Sequence, residues 1–243
     1  AGSNLAPHAG PSSSMTCGDC IDAMRSMDES SVAAIVTDPP AGISFMSREW
    51  DDFRRARNPN DAGRDSAFGR LSAHGPEYGR SPRGNFIAWL TEVMRECLRV
   101  AKPGAHALVW AIPRTSHWTA TAIEDAGWDL RDCITHLFGV GFPKSMNLGD
   151  GRGTALKPAA EFWWLARKPV EGTIRSNVER HGTGALNIDA TRIGSGDGGT
   201  RDNEPSANRR YTEKGGTNFA ATPGPRGGDA RGRWPANVLL DED

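Results

Sequence analysis

The sequence predicts an α/β fold in which a doubly wound sheet alternates with helices. Two observations carry that expectation. Apolar runs of strand length, such as Ala33-Ala34-Ile35-Val36 and "ALVWAI", end at turn residues. Between them lie segments with apolar side chains at helical spacing, and this alternation argues against an all-α or all-β domain. The 29 glycines and 16 prolines among 243 residues add a third feature, extensive loops.

The elements follow in chain order. Residues 15–45 read as a short strand, a loop at Gly18-Asp19, a helix around Ile21–Met27 and the strand Ala33–Val36. "NFIAWLTEVMRECLRV" places Phe86, Trp89, Leu90, Val93, Met94, Cys97 and Leu98 on one helical face, with Asn85 as its cap. "KPGAHALVWAI" reads as a turn and then a buried strand, "SHWTATAIEDAGW" as a helix ended by Gly127, and "DLRDCITHLFG" as a further strand. One more strand is expected at Phe162–Ala166, with Trp163 and Trp164 in the core.

The remainder reads as irregular. Residues 1–14, small and polar, are taken as a leader or tag ahead of Met15, with the main domain at 15–193 and a Gly/Arg-rich region at 194–243. Two long loops, 46–83 and 194–233, are Arg-biased in a chain whose net charge is only −1. Such loops are solvated faces or phosphate-contacting surfaces. There is no apolar stretch of about 18 residues, so no membrane partner is expected and a cytoplasmic location is. Cys17 and Cys20 form a lone C-x-x-C without a second ligand pair, so no metal is expected.

The chemistry concentrates at "IVTDPPAGISF". An apolar run ends at Asp38, and ligand sites of open α/β sheets lie outside the carboxyl ends of strands. Pro39 and Pro40 have fixed φ and no N–H, so their carbonyls are rigid acceptors. A carboxylate beside a preset carbonyl can accept both hydrogens of an exocyclic amino group and turn its lone pair toward an electrophile. The alternative reading is a plain Asp-Pro turn at a strand end. Asp19 suits a ligand hydrogen bond or the cap of the next helix. Arg114 and His117 follow the strand "ALVWAI" and belong to the same sheet edge as Asp38, while Lys144 and Lys157 are loop lysines suited to phosphate or substrate. Trp50, beside Arg48, is a candidate for nucleic-acid contact.

The blocks "MTCGDCIDAMRSMDESSVAAIVTDPPAGISFMSREWDD", "RVAKPGAHALVWAIPRTSHWTATAIEDAGWDLRDCITHLFGVGFPKSMNLG" and "GTALKPAAEFWWLARKPVEGT…GRWPANVLL" resemble the site-specific DNA amino-methyltransferases of the permuted, β-type arrangement. They are similar to the phage and bacterial enzymes that methylate adenine N6. The resemblance implies a Rossmann-like sheet with long basic loops, S-adenosyl-L-methionine as cofactor and double-stranded DNA as partner. It implies that Asp38 and the Pro39 carbonyl hold the amino group of a flipped base. It also implies that Asp19 contacts the adenosine end of the cofactor, and that Arg48, Trp50, Arg114, His117 and Lys144 face DNA. Cytosine-N4 methylation is the close rival, and a non-catalytic nucleic-acid-binding module is the rival of another class.

Two departures qualify it. The family has an aromatic residue where this chain has Ala41, and that ring stacks on the extruded base. Stacking is worth ~1–3 kcal/mol and flipping costs a few, so an impaired enzyme is expected. The Gly-rich cofactor loop that the resemblance places after "GRWPANVLL" is not found within 243 residues. Either the chain is truncated, a homodimer or complementing chain supplies that half, or the chain binds without methylating; Gly149-x-Gly151-x-Gly153 is a poor local substitute because no buried strand precedes it.

Overall fold

The strand β2 (Ala101–Ala111) organises the packing, because its residues alternate between a buried and a half-buried face. The computed structural model describes residues 13–45, 48–54, 81–141, 146–193, 231–232 and 234–240. Ala105, Ala107 and Val109 are fully buried against α2 (Pro82–Val100) and α3 (Ser116–Asp125), which supply Phe86, Leu90, Met94 and Ile123. Side chains of this size gain about 1.5–3 kcal/mol each on burial. The other face carries His106, Leu108 and Trp110, all half-buried.

β1 (Val32–Thr37) pairs parallel with β2, and β6 (Ala160–Arg167) pairs antiparallel with it. β3 (Asp129–Leu137) is antiparallel to β6, and the sheet order is β1-β2-β6-β3-β7, where β7 is Val238–Leu240. The fold is therefore α/β with a sheet of mixed direction, parallel at β1–β2 and antiparallel at β2–β6 and β6–β3. A separate hairpin joins β4 (Asn147–Gly149) to β5 (Arg152–Gly153). The helix α1 (Cys20–Arg25) packs on α2, and Arg99 of α2 donates to the carbonyls of Met24 and Met27 at 2.6 and 3.1 Å. Two compact units are present: one runs to Gly184 and includes Leu239 and Leu240, the other lies between Ala185 and Val238. Within the second, Asp189 pairs with Arg192 and Arg231 at 2.8 and 2.6 Å, and Arg192 lies 5.8 Å from the Trp234 ring. Among the described residues no helix is long and apolar enough to cross a membrane. Most of the loops 46–83 and 194–233 lies outside the described residues.

Several sequence expectations need correction. No strand forms at residues 15–17, where Met15 is 98% exposed and has no neighbouring strand. α2 is capped by Ser81, whose hydroxyl accepts from Gly84 N at 3.1 Å, with Pro82 in the first turn. Asn85 is instead inside the helix, donating to the buried Phe53 carbonyl at 2.9 Å. β2 starts at Ala101, so Lys102-Pro103-Gly104 belongs to the strand. Trp163 and Trp164 do not share the core, since successive strand residues point to opposite faces. Trp164 packs on the helix-covered core, whereas Trp163 lies opposite Trp110 on the half-buried face.

The helix α4 (Ile174–His181) is not apparent from sequence because it is polar and its capping box uses Ser176 where Glu or Gln is usual. It locks onto β2 through Asn177, which is fully buried. The Asn177 amide nitrogen donates to Pro103 O at 2.9 Å and Thr183 O at 2.7 Å, while its oxygen accepts from Glu171 N at 2.9 Å. Replacing it by alanine removes this partner from Thr183 O and Glu171 N, while Pro103 O keeps the Thr183 hydroxyl; each buried orphan costs about 1–3 kcal/mol. Asn177→Ala should therefore lose at least about 2 kcal/mol in urea unfolding; a loss below about 0.5 kcal/mol would contradict this reading.

Candidate functional site

Four strands deliver residues to one sheet edge. β1 and β2 are parallel, with Thr37 opposite Val109, so Asp38 and Ile112 both emerge at their carboxyl ends. β6 is antiparallel and starts there with Ala160 and Glu161, while β3 leaves there through Leu137. At this edge opens a cavity of about 1420 Å³ lined by Asp38, Pro39, Pro40, Ala41, Phe45, Trp50, Trp110, Arg114, Lys157 and Glu161, among others.

The turn after Asp38 is built around a buried carboxyl group. Asp51, with no exposed surface, accepts from the backbone amides of Gly42 at 2.5 Å, Ile43 at 3.2 Å and Phe45 at 2.7 Å. Its own carbonyl takes Ser44 N at 3.0 Å. Gly42 has φ +71°, and a Cβ there would meet the Phe86 ring at 2.8 Å, so only glycine fits. Thr115 precedes α3, yet its hydroxyl does not cap that helix; it donates to the Ala41 carbonyl at 2.7 Å. The segment from Ala41 to Phe53 is thereby fixed at both ends, since Asn85 holds the Phe53 carbonyl.

The Asp38 carboxyl receives no hydrogen bond from the described residues. Partial desolvation, and then the nearby Glu161, push its proton affinity above the ordinary aspartate range. Glu161 is held by the Trp110 indole, which donates to Oε2 at 2.9 Å, with His136 Nδ1 3.9 Å from the same oxygen. Two carboxyl groups thus face a cavity with aromatic walls, and among the described residues Arg114 and Lys157 are the cations that line it. A ligand satisfying this arrangement brings hydrogen-bond donors on a flat apolar body.

Of the residues singled out from the sequence, Asp38, Pro39, Pro40, Ala41, Trp50, Arg114 and Lys157 come together here. Asp19 does not line the cavity; its Oδ1 caps α1, accepting from Ile21 N and Asp22 N at 2.9 and 3.1 Å. His117 is exposed in the first turn of α3, edge-on to Trp118 at 5.7 Å, and Arg48 is exposed ahead of the 3-10 turn Glu49–Asp51. Lys144 lies outside the described residues. Gly149 and Gly151 flank the turn of the β4–β5 hairpin, where an added Cβ would meet nothing within 4 Å, so no close approach requires glycine there. Sequence reasoning missed Glu161, Trp110 and Asp51. The lone acid in the strand "AAEFWW" is the available signal for Glu161.

Among solved structures, TTHA0409 from Thermus thermophilus, named as a DNA modification methylase, is 18% identical over 72% of this chain and 61% of that one, with a TM-score of 0.39. Its complex with S-adenosyl-L-methionine gives 19% identity, 72% and 63% coverage and a TM-score of 0.37. The PvuII DNA methyltransferase, cytosine-N4-specific, gives 15% identity over 65% of this chain and 50% of that one, with a TM-score of 0.44. The chain thus spans about three fifths of the length of TTHA0409 and half of the PvuII enzyme. No family model matches, and no curated protein matches.

A carboxyl group with raised folded-state proton affinity favours folding below its unfolded pKa, and that contribution is lost as pH rises through the folded value. Asp38 is such a group. Asp38→Asn should therefore melt higher than the native chain at pH 7, with the gain shrinking as pH falls through the carboxylate range. A gain that grew toward acid pH would show the opposite shift.

Proposed function

We propose that this chain transfers a methyl group from S-adenosyl-L-methionine to the exocyclic amino group of a base in DNA, adenine N6 being the target. The observation that carries the reading is the Asp38 carboxyl, without a hydrogen-bond donor among the described residues, beside Pro39 and Pro40 at the mouth of an aromatic-walled cavity. The sequence resemblance supports adenine and the cofactor. Asp38 and the Pro39 carbonyl accept the two amino hydrogens, which draws the nitrogen lone pair out of conjugation with the ring. Once the nitrogen is alkylated it carries an excess proton, and Asp38, with its raised proton affinity, is placed to take it. Glu161 keeps the surroundings of Asp38 negative. Arg114 and Lys157 at the cavity lining suit a phosphate or the cofactor's carboxylate.

The residues present fit the cofactor on two counts. The cavity exceeds the roughly 300–1,000 Å³ of a pocket for one small ligand, leaving room for a base and part of a second molecule. Asp19 uses only Oδ1 on its helix, and Oδ2 has no partner among the described residues, which leaves an acceptor for a hydroxyl of the cofactor. When bound, S-adenosyl-L-methionine supplies the methyl as an electrophile at a sulfonium. Double-stranded DNA is the partner, gripped by the Arg-rich loops, with the region 194–233 reading the target sequence. A second copy or complementing chain can contribute to the cofactor pocket.

Cytosine N4 presents the same amino group beside a ring nitrogen, so the acceptors suit it as well. Incubation of the chain with DNA of mixed sequence and labelled cofactor, followed by digestion to nucleosides and mass spectrometry, separates the outcomes. N6-methyladenine is expected, and Asp38→Ala should reduce it at least about 100-fold. N4-methylcytosine alone would reassign the target; no labelled base, with S-adenosyl-L-methionine failing to bind, would overturn the reading in favour of a DNA-binding module.

A further inference from the structure

Leu156 lines the cavity that holds Asp38, yet it is 91% exposed, so it sits at the mouth rather than in the wall. We infer that Leu156 is a wedge for double-stranded DNA: it enters the base stack and fills the gap left when the target base swings out toward Asp38. The inference rests on the methyl-transfer reading above and deepens it.

A base that leaves the duplex gives up both its stacking and its pairing, and extrusion costs free energy for each. Proteins that open a base step hold it open with an apolar side chain, which takes over contacts that the stack has lost. Such a side chain must be exposed before DNA binds, beside the pocket that takes the base, and next to a cation for the phosphates. Leu156 meets each condition. Lys157, the next residue, also lines the cavity and makes no ion pair with a described residue. Val140, 78% exposed at the same cavity, extends the apolar rim. A single exposed leucine is ordinary on a protein surface. Here two aliphatic side chains share one cavity mouth with the acceptor that receives the base.

The frame under the wedge is stiff. The Phe138 amide donates to the Ala159 carbonyl at 3.2 Å, joining the segment after β3 to the one before β6. Gly141 is buried between them, and a Cβ there would meet the Lys157 Cβ at 2.7 Å and the Lys157 and Pro158 carbonyls at 3.0 and 3.1 Å. Pro158 fixes its own φ and biases Lys157 toward extended backbone. Leu156 is thus held one residue from a tight contact, which limits the ordering entropy lost on insertion.

Other exposed apolar residues fit the role less well. Met146 and Leu148 of the β4–β5 hairpin do not line the cavity. Phe45 and Trp50 do, but they belong to the turn that follows Asp38, and more of their surface is already covered.

The test uses the full chain and an oligonucleotide duplex carrying a sequence that it methylates, found by mapping methylated bases in DNA of mixed sequence. Single-turnover methylation is followed on the matched duplex and on one with an abasic site opposite the target, where the target base is already unpaired. Leu156→Ser should slow the matched duplex at least about tenfold, the scale set by burying a leucine side chain, and the abasic duplex by less than about threefold. Leu156→Phe should stay within about threefold of the native chain on both. Val140→Ser should give the same contrast in smaller measure, and it serves if Leu156→Ser misfolds. Thermal melts of the variants should not move, because both side chains are exposed. No loss on the matched duplex, or an equal loss on both duplexes, overturns the inference and leaves the methyl-transfer reading standing. The first of these results, joined to weaker self-association, would make the rim a contact between copies of the chain. A native chain that methylates no DNA overturns both.

Discussion

The buried Asp51 carboxyl group, ringed by the amides of Gly42, Ile43 and Phe45, is the interaction on which the site depends. A strand that ends in Asp38-Pro39-Pro40 has no intrinsic reason to hold a defined shape beyond the prolines. Among the described residues of the following segment, Phe53 is the buried apolar side chain while Phe45 and Trp50 are exposed, so packing alone constrains the turn weakly. Asp51 supplies the missing constraint by satisfying three nearby amides at once, and the positive φ of Gly42 lets the chain close against Phe86. One side chain thereby couples the motif to its own downstream loop, and Thr115 couples both to the start of α3.

That constraint gives the sheet edge a defined cavity. β1 contributes the carboxyl, β2 the Trp110 indole, β6 Glu161 and the anchored loop Trp50, all to one cavity. None of these groups is large in energetic terms by itself. Their common property is that the hydrogen-bonding atoms left over on Asp38 and Glu161 are acceptors, set between apolar walls. The free energy of a bound ligand then depends on bringing donors to those acceptors, and a carbonyl in the same place would face two carboxyl groups unpaired.

Much of this is legible in the sequence. The helical spacing of Phe86 to Leu98, the strand ending at Asp38 and the apolar run through Trp110 are local patterns, and local patterns survive folding. The strand expected at Met15 fails because nothing in a short segment reveals whether a neighbour exists for it to pair with. Asn85 reads as a helix end, but its amide is needed 32 residues earlier in the chain at Phe53. The same limit hides Asp51, whose neighbours along the chain look like an ordinary acidic turn. It also hides Glu161, which meets Trp110 only because β6 runs antiparallel to β2. Trp50 and Ala41 line one cavity, a proximity hidden in the sequence because the loop between them cannot be folded by inspection.

The central claim is that the cavity selects an amino group through acceptors alone. Comparing nucleoside pairs that differ only by amino and carbonyl, adenosine with inosine and cytidine with uridine, tests it most directly. Saturation-transfer titration of each pair into the intact chain should show the amino member binding at least about tenfold more tightly, as expected when an acceptor covered by the ligand loses its donor. Equal affinity within a pair, or preference for inosine or uridine, would contradict the claim.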